Sequence, residues 1–506
     1  MAERRVKKNR LLRVLAVLAV LVAALAVVAW WKLFRELPQQ LADDSMEEQF
    51  KYGSIGSENE QGMPYWIFLV LPKMFPEHLP RPGGWTAVGL SWEQGRELPV
   101  GISKRHIGFD RVAINCAFCH TGRVRKAGEA LPRIYPAGPG NAVDPLAYQR
   151  FLFACANDPR FTGANVMKAI AQVTELPLLD RLLYRYVLVP QTKKALLKQD
   201  AGFAWTNKRV DWGKGRIDPF NPIKFGILLR TAYGDKRIEE IDDATVGNSD
   251  MQPIWNMRPR VERKMSLHWD GLNTDITEVV LSSALGDGAA PKSIPIDSLK
   301  RLEQWLVALP PPRFEDLFAV DRTLAARGEP VFAQHCARCH AMDGELTGQV
   351  MPLTDEAWSD GVDPSAPRPR YTDNHRALMW TPQAATAYNA YADDYGWDFK
   401  NFRAPGGYVS VPLDGLWSRA PYLHNGSVPY LAELLETPDK RTKFFYRGHD
   451  VYDPVRMGFV SEGPEAEWVG TPYDTAAEGN GNQGHLWGVH LAPQEKQALV
   501  EYLKTL

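Results

Sequence analysis

Two segments of this chain put cysteine and histidine where together they can hold a prosthetic group. Cys116-Ala117-Phe118-Cys119-His120 and Cys336-Ala337-Arg338-Cys339-His340 both read Cys-x-x-Cys-His. Thiols at that spacing add across the two vinyl groups of one haem. The adjoining histidine then lies under the porphyrin, with its imidazole in reach of the iron. Two such segments predict two covalently attached c-type haems, with His120 and His340 as the proximal ligands. A zinc site built from both Cys-x-x-Cys pairs is the competing metal chemistry. Pairs so far apart are unlike a zinc ribbon or finger, and zinc has no need of a histidine after each second cysteine. The motifs use four of the five cysteines. The fifth, Cys155, ends the apolar run Phe151-Leu152-Phe153-Ala154-Cys155 and reads as a small buried hydrophobe, with pairing between chains as the alternative.

Haems attached this way need helices around them, and the chain supplies candidates. Leu302, Trp305, Leu306 and Leu309 recur at i, i+3, i+4 and i+7 in a helix over 298–309. Leu499, Tyr502, Leu503 and Leu506 repeat the spacing in a helix over 494–506, which Pro493 is placed to open. A further helix over 321–332 leads into the second motif, with Gly328 permitting a close crossing and Phe332 packing at it. A haem motif followed much later by a matching helix, twice, reads as an internal duplication. Leu309-Pro310-Pro311-Pro312-Arg313 stiffens the link between the copies. The expected fold is therefore mainly α: two expanded cytochrome c-like domains with large irregular insertions, preceded by an N-terminal transmembrane helix. The expected divisions are 1–35 (anchor or signal segment), 36–95 (irregular extension), 96–312 (first haem domain) and 313–506 (second haem domain).

The anchor rests on the first residues. Arg4, Arg5, Lys7, Lys8, Arg10 and Arg13 precede an uncharged run from Val14 to Trp31, close to the roughly 20 residues that span a bilayer. Trp30 and Trp31 stand where an aromatic belt would lie, and the basic end stays cytoplasmic. A cleaved signal peptide is the alternative, with Ala24, Ala26 and Ala29 as small residues for cleavage. Either way the bulk of the chain is expected in the periplasm, at the bacterial inner membrane if the segment stays. Over the whole chain 59 basic residues balance 60 acidic ones, which gives no ground for nucleic-acid binding.

Several further motifs resemble one known group. Trp417-Ser418-Arg419-Ala420-Pro421-Tyr422-Leu423-His424-Asn425-Gly426-Ser427-Val428-Pro429 resembles a signature of the dihaem cytochrome c peroxidase and MauG superfamily. Gly484-His485-Leu486-Trp487-Gly488 resembles the rubber oxygenase (RoxA-like) branch. So do Asp211-Trp212-Gly213-Lys214-Gly215-Arg216 with Asn221-Pro222, and His268-Trp269-Asp270-Gly271. The resemblance implies that the second haem is bis-histidine, with His340 proximal and His485 distal; Met351 and Met457 are the rival distal ligands. It implies that the first haem keeps an open distal side where dioxygen binds. His106 is a further distal candidate there, although a surface role suits it better. His268 stands for a pocket or supporting role, against a plain core histidine. Trp255 and Trp269 are relay candidates between the haems, against plain core packing. His424 is expected to orient backbone or a propionate near the second haem.

Two functions follow. In the first, the protein is an oxidoreductase in which the first haem, with His120, His268 and Trp269 around it, meets O₂ or peroxide and a small organic substrate. The second haem then transfers electrons, and the protein is of the RoxA-like dioxygenase or peroxidase type. In the second, both irons are capped and the protein only carries electrons between periplasmic or membrane donors and acceptors. A membrane tether argues against an insoluble polymer as substrate.

Overall fold

The computed structural model describes residues 2–506 except 235, 237–239, 241, 242, 394 and 398. Helices and loops dominate, with one three-stranded sheet and five two-stranded ones among the described residues. In the larger sheet, β3 (Phe109–Ile114) lies between β1 (Met63–Pro64) and β2 (Ile102–Ile107), antiparallel to both.

The first correction concerns the N-terminus. Ala2–Phe34 is one helix of 33 residues, and Leu12, Val20 and Trp30 on it are exposed. Yet among the described residues no helix is long and apolar enough to cross a membrane. The side chains of Arg4, Arg5, Lys7, Lys8 and Ala29 lie outside the described residues. The expected transmembrane helix and placement at the inner membrane are therefore withdrawn, and the argument against a polymer substrate goes with them.

Residues 36–95, expected to be irregular, hold real elements. Ser45 caps the helix Met46–Tyr52 by accepting from Glu48 N. The helix Tyr65–Met74 buries Ile67, Phe68, Val70 and Leu71. Phe68 stacks on Trp85 with ring centroids 4.3 Å apart. These residues share a core with Phe151, Phe161 and the buried Cys155.

The two matching helices form Ile296–Ala308 and Pro493–Leu503. Leu299, Leu302 and Leu306 of the one, and Leu499 and Leu503 of the other, face the interior. Each lies against an earlier helix through one aromatic pair. Trp305 meets Phe50 of Met46–Tyr52 at 5.4 Å, and Tyr502 meets Phe332 of Arg322–His335 at 5.3 Å. At Gly328 a Cβ would collide with the Ala498 carbonyl oxygen, so only glycine lets the second pair of helices close. Asp321 caps Arg322–His335, and Glu501 of the last helix accepts from Asp321 N at 2.7 Å. A second core joins Phe50, Leu299, Leu302 and Leu306 to Tyr388, Phe399 and Phe402, so it crosses the division expected at 312/313. A third gathers Phe314, Phe332, Trp417, Tyr452 and Leu499.

Candidate haem sites

The first motif is a single helical turn, Cys116–Cys119, fastened at its start. Asn115 Oδ1 accepts from Ala117 N (3.0 Å), and its Nδ2 donates to the carbonyls of Gly53 (2.9 Å) and Lys51 (3.3 Å). Gly101, with φ +90°, passes so close that a Cβ would strike the Phe118 backbone. Past the turn, His120 Nδ1 lies 2.8 Å from Gln252 O. A carbonyl can only accept, so Nδ1 carries the proton and Nε2 keeps its lone pair for a metal. Burial holds the His120 pKa below its usual value, against the Gln252 bond, so the ring stays neutral.

The second motif repeats the device. Cys336 ends the helix Arg322–His335 and opens the turn Ala337–His340. His340 Nδ1 lies 2.8 Å from Val411 O, which again leaves Nε2 free. Burial lowers this pKa too. His485 faces it, with ring centroids 6.1 Å apart. Metal–imidazole bonds of about 2.0 Å, with about 1.1 Å from nitrogen to ring centre on each side, would set two axial histidines roughly 6.2 Å apart. The gap fits one iron. Burial, helped by His340 and Arg441, pushes the His485 pKa down to about 3, so it too is neutral. The rival methionines are placed elsewhere: Met457 is buried in the third core, and Met351 packs against Trp358 and Tyr408.

A cavity of about 310 Å³ opens beside the first motif, with Cys116, Cys119 and His120 in its wall. Phe220, Ile223, Val280, Leu299, Leu302 and Leu306 make much of the wall apolar, as a porphyrin face requires. His268 and Trp269 line the same cavity. His268 is half-buried, with its Nε2 fully buried and without a partner. Burial first, then the Arg376 charge and the neighbouring His120, push its pKa down to about 3. A buried, neutral, unpartnered ring nitrogen beside His120 is an orphan that a group in this cavity would satisfy. His268 and His485 also share a left-handed backbone, φ +63° and +57°. Leu423 and Met457 adopt it as well, so the conformation alone marks no ligand.

Trp269 donates from Nε1 to Asp250 O at 2.8 Å and packs against the small core of Trp358, Ala377 and Tyr408. Trp358 lies 5.4 Å from Trp487, which lies 5.3 Å from His485. Trp255 is buried with its Nε1 3.4 Å from Asp414 O. His106, on β2, pairs with Asp110 (2.8 Å). His424 stacks on Tyr408, whose hydroxyl lies 3.0 Å from His424 Nε2.

Three residues escaped sequence reasoning. Buried Arg441 clamps the loop before Leu486, donating to the carbonyls of Asn482 and Gly484 (2.6 Å each) and His485 (3.0 Å). Asp287 lines the cavity, and burial pushes its carboxyl up to about 7. Arg376 lines it too. None stands in a spacing that signals a role.

Comparison with known proteins agrees with haem chemistry. Residues 407–446 match the family model described as RoxA-like, cytochrome c-like. The matched stretch includes Val411, whose carbonyl orients His340. Residues 407–446 thus carry a RoxA-like, cytochrome c-like domain, and such a domain implies covalently bound c-type haem. Over 477 residues the chain is 25% identical to the uncharacterized protein y4iJ of Sinorhizobium fredii (strain NBRC 101917 / NGR234), covering 78% of this chain and 77% of the relative. It is 28% identical over 320 residues to the uncharacterized protein y4iM of the same strain, covering 54% of this chain and 68% of the relative.

Proposed function

We propose that the protein is a dihaem c-type cytochrome and an oxidoreductase of the cytochrome c peroxidase and MauG type. One haem is attached at Cys116 and Cys119 over His120, the other at Cys336 and Cys339 between His340 and His485. Bound there, the haems supply one-electron transfer and the reduction of O₂ or hydrogen peroxide. The observation that carries the reading is the shared wall: a complete attachment motif and the unpartnered His268 line one largely apolar cavity.

The chain's own groups divide the work. Gln252 and Val411 hold the proximal imidazoles in the metal-binding tautomer. His485 caps the second site, which suits it to storing and passing electrons rather than meeting substrate. His268 stands over the cavity as a neutral imidazole whose Nε2 is free to hydrogen-bond a small oxidant. The apolar wall suits a small organic substrate and excludes water. Trp269 packs against the small core that holds Trp358, and Trp358 lies beside Trp487 next to His485, an arrangement that supports electron passage between the two sites. A redox partner protein would supply or receive those electrons.

A second reading, an electron carrier without a substrate of its own, is favoured by one observation. His268 is itself placed to ligate, and an iron capped by both His120 and His268 has no open position. Mixing the reduced protein with O₂ or hydrogen peroxide separates the two. The enzyme reading predicts fast reoxidation that slows at least tenfold in His120→Ala and changes in His268→Ala. Equal rates in all three proteins would contradict it.

A further inference from the structure

Arg376 is a buried cation in the cavity wall whose donors are left over. It sits in the short helix His375–Met379 and is 2% exposed. Its guanidinium lies 4.9 Å over the Phe220 ring. One nitrogen, Nη2, reaches Asp270 Oδ1 at 3.3 Å, a long contact for an ion pair. Nε and Nη1 are buried and meet no acceptor. The other arginines of the wall are better matched. Arg260 and Arg419 both hold the Asp414 carboxylate, at 2.6 and 2.9 Å, and only Arg419 Nε is left over.

The mismatch extends around Phe220. His268 Nε2, Trp380 Nε1 and Asp270 Oδ2 are also buried without partners, and the His268 and Trp380 rings lie 5.4 and 5.1 Å from Phe220. Asp270 meets Arg376 through Oδ1 alone, so it answers the guanidinium fork with a single long contact. Buried donors left without acceptors cost folding free energy, and a native chain rarely carries several together. A ligand that brings hydrogen-bonding atoms into the cavity would meet them. A guanidinium presents its donors as a flat fork that matches a carboxylate with two parallel bonds.

We infer that Arg376 is a carboxylate-binding residue of this cavity, taking a carboxylate of a molecule bound beside His120. The inference rests on the reading of the cavity as a haem pocket. Two molecules can present that carboxylate: the haem, through a propionate, or a small organic acid as substrate.

The test uses the full-length, haem-loaded protein and its R376Q and R376K variants. Octanoate and octanol are titrated while the haem absorbance is followed, and the propionate-bending band is read by resonance Raman. If the source is a propionate, the band shifts in R376Q, and octanoate binds no better than octanol to the unmodified protein. If the source is a substrate, octanoate binds about tenfold or more tighter than octanol, the margin a charge-assisted bond supplies. R376Q then abolishes that preference and leaves the band in place. Should R376Q not fold, R376K carries the same comparison, since it keeps the charge and loses the fork. No octanoate preference and no band shift would overturn the inference. Mass analysis of the peptide holding Cys116 and Cys119 checks the haem pocket itself, so failure of that reading is seen separately.

Discussion

At the scale of single residues, a histidine that is to hold a metal must be neutral and aimed. His120 and His340 are aimed alike, by one backbone carbonyl each at 2.8 Å. His485 is held by its loop instead. Its replacement by alanine should therefore leave haem attached but open its far side, seen as carbon monoxide binding at a second iron; an unchanged spectrum would show that another group ligates there. His424 allows a pH prediction free of metal. Burial pushes its pKa down to about 3, below the roughly 6.5 of an unfolded histidine. The unfolded chain then takes up a proton that the folded one refuses. Stability attributable to His424 is complete above pH 6.5 and is lost as pH falls toward 3, by up to about 1.4 kcal/mol per pH unit. Between pH 7.5 and pH 5, urea unfolding should lose about 2 kcal/mol less in His424→Gln than in the unmodified protein; an equal loss in both proteins would contradict this. The motif cysteines and histidines were legible because attachment chemistry dictates their spacing. Arg376 and Arg441 were not, because a lone arginine meets its partners only once distant loops come together.

At the scale of elements, the helices beside the haem motifs are locked by small features. Gly328 lets the last helix close on Arg322–His335, and the crossing was legible because glycine and Phe332 stand one turn apart in an amphipathic pattern. Gly328→Ala should cost about 1–3 kcal/mol, as overpacking does, measured as a lower urea midpoint with an unchanged slope. The equivalent partner of Ile296–Ala308 was not legible. It is Met46–Tyr52, a short helix far upstream of Cys116, and the insertion between them removes any local signal. Contact between Phe50 and Trp305 shows the equivalence only in three dimensions. The clamp at Arg441 belongs to this scale as well. Arg441→Ala strands five carbonyls, those of Leu434, Glu436, Asn482, Gly484 and His485, and each buried unmatched group costs about 1–3 kcal/mol. The variant should weaken the axial field of the second haem as well as the fold. A normal low-spin spectrum in Arg441→Ala would show that the loop keeps His485 in place without it.

At the scale of the whole molecule, the two haem motifs do not head separate bodies. The second core runs from Phe50 through Leu306 to Phe402, and Trp269 packs among side chains that lead to His485. A haem lost from one motif should therefore disturb both halves. Cys336→Ser with Cys339→Ser is expected to give little soluble protein, as removal of a tightly held metal group does; a normal yield of folded single-haem protein would contradict it. The central claim is two haems with unequal distal sides: one capped by His485, the other facing the His268 cavity. The most direct test is a carbon monoxide difference spectrum of the dithionite-reduced protein, with total haem counted alongside. The account predicts two haems per chain and carbon monoxide bound to one of them. A single haem, or two haems neither of which binds carbon monoxide, would contradict it.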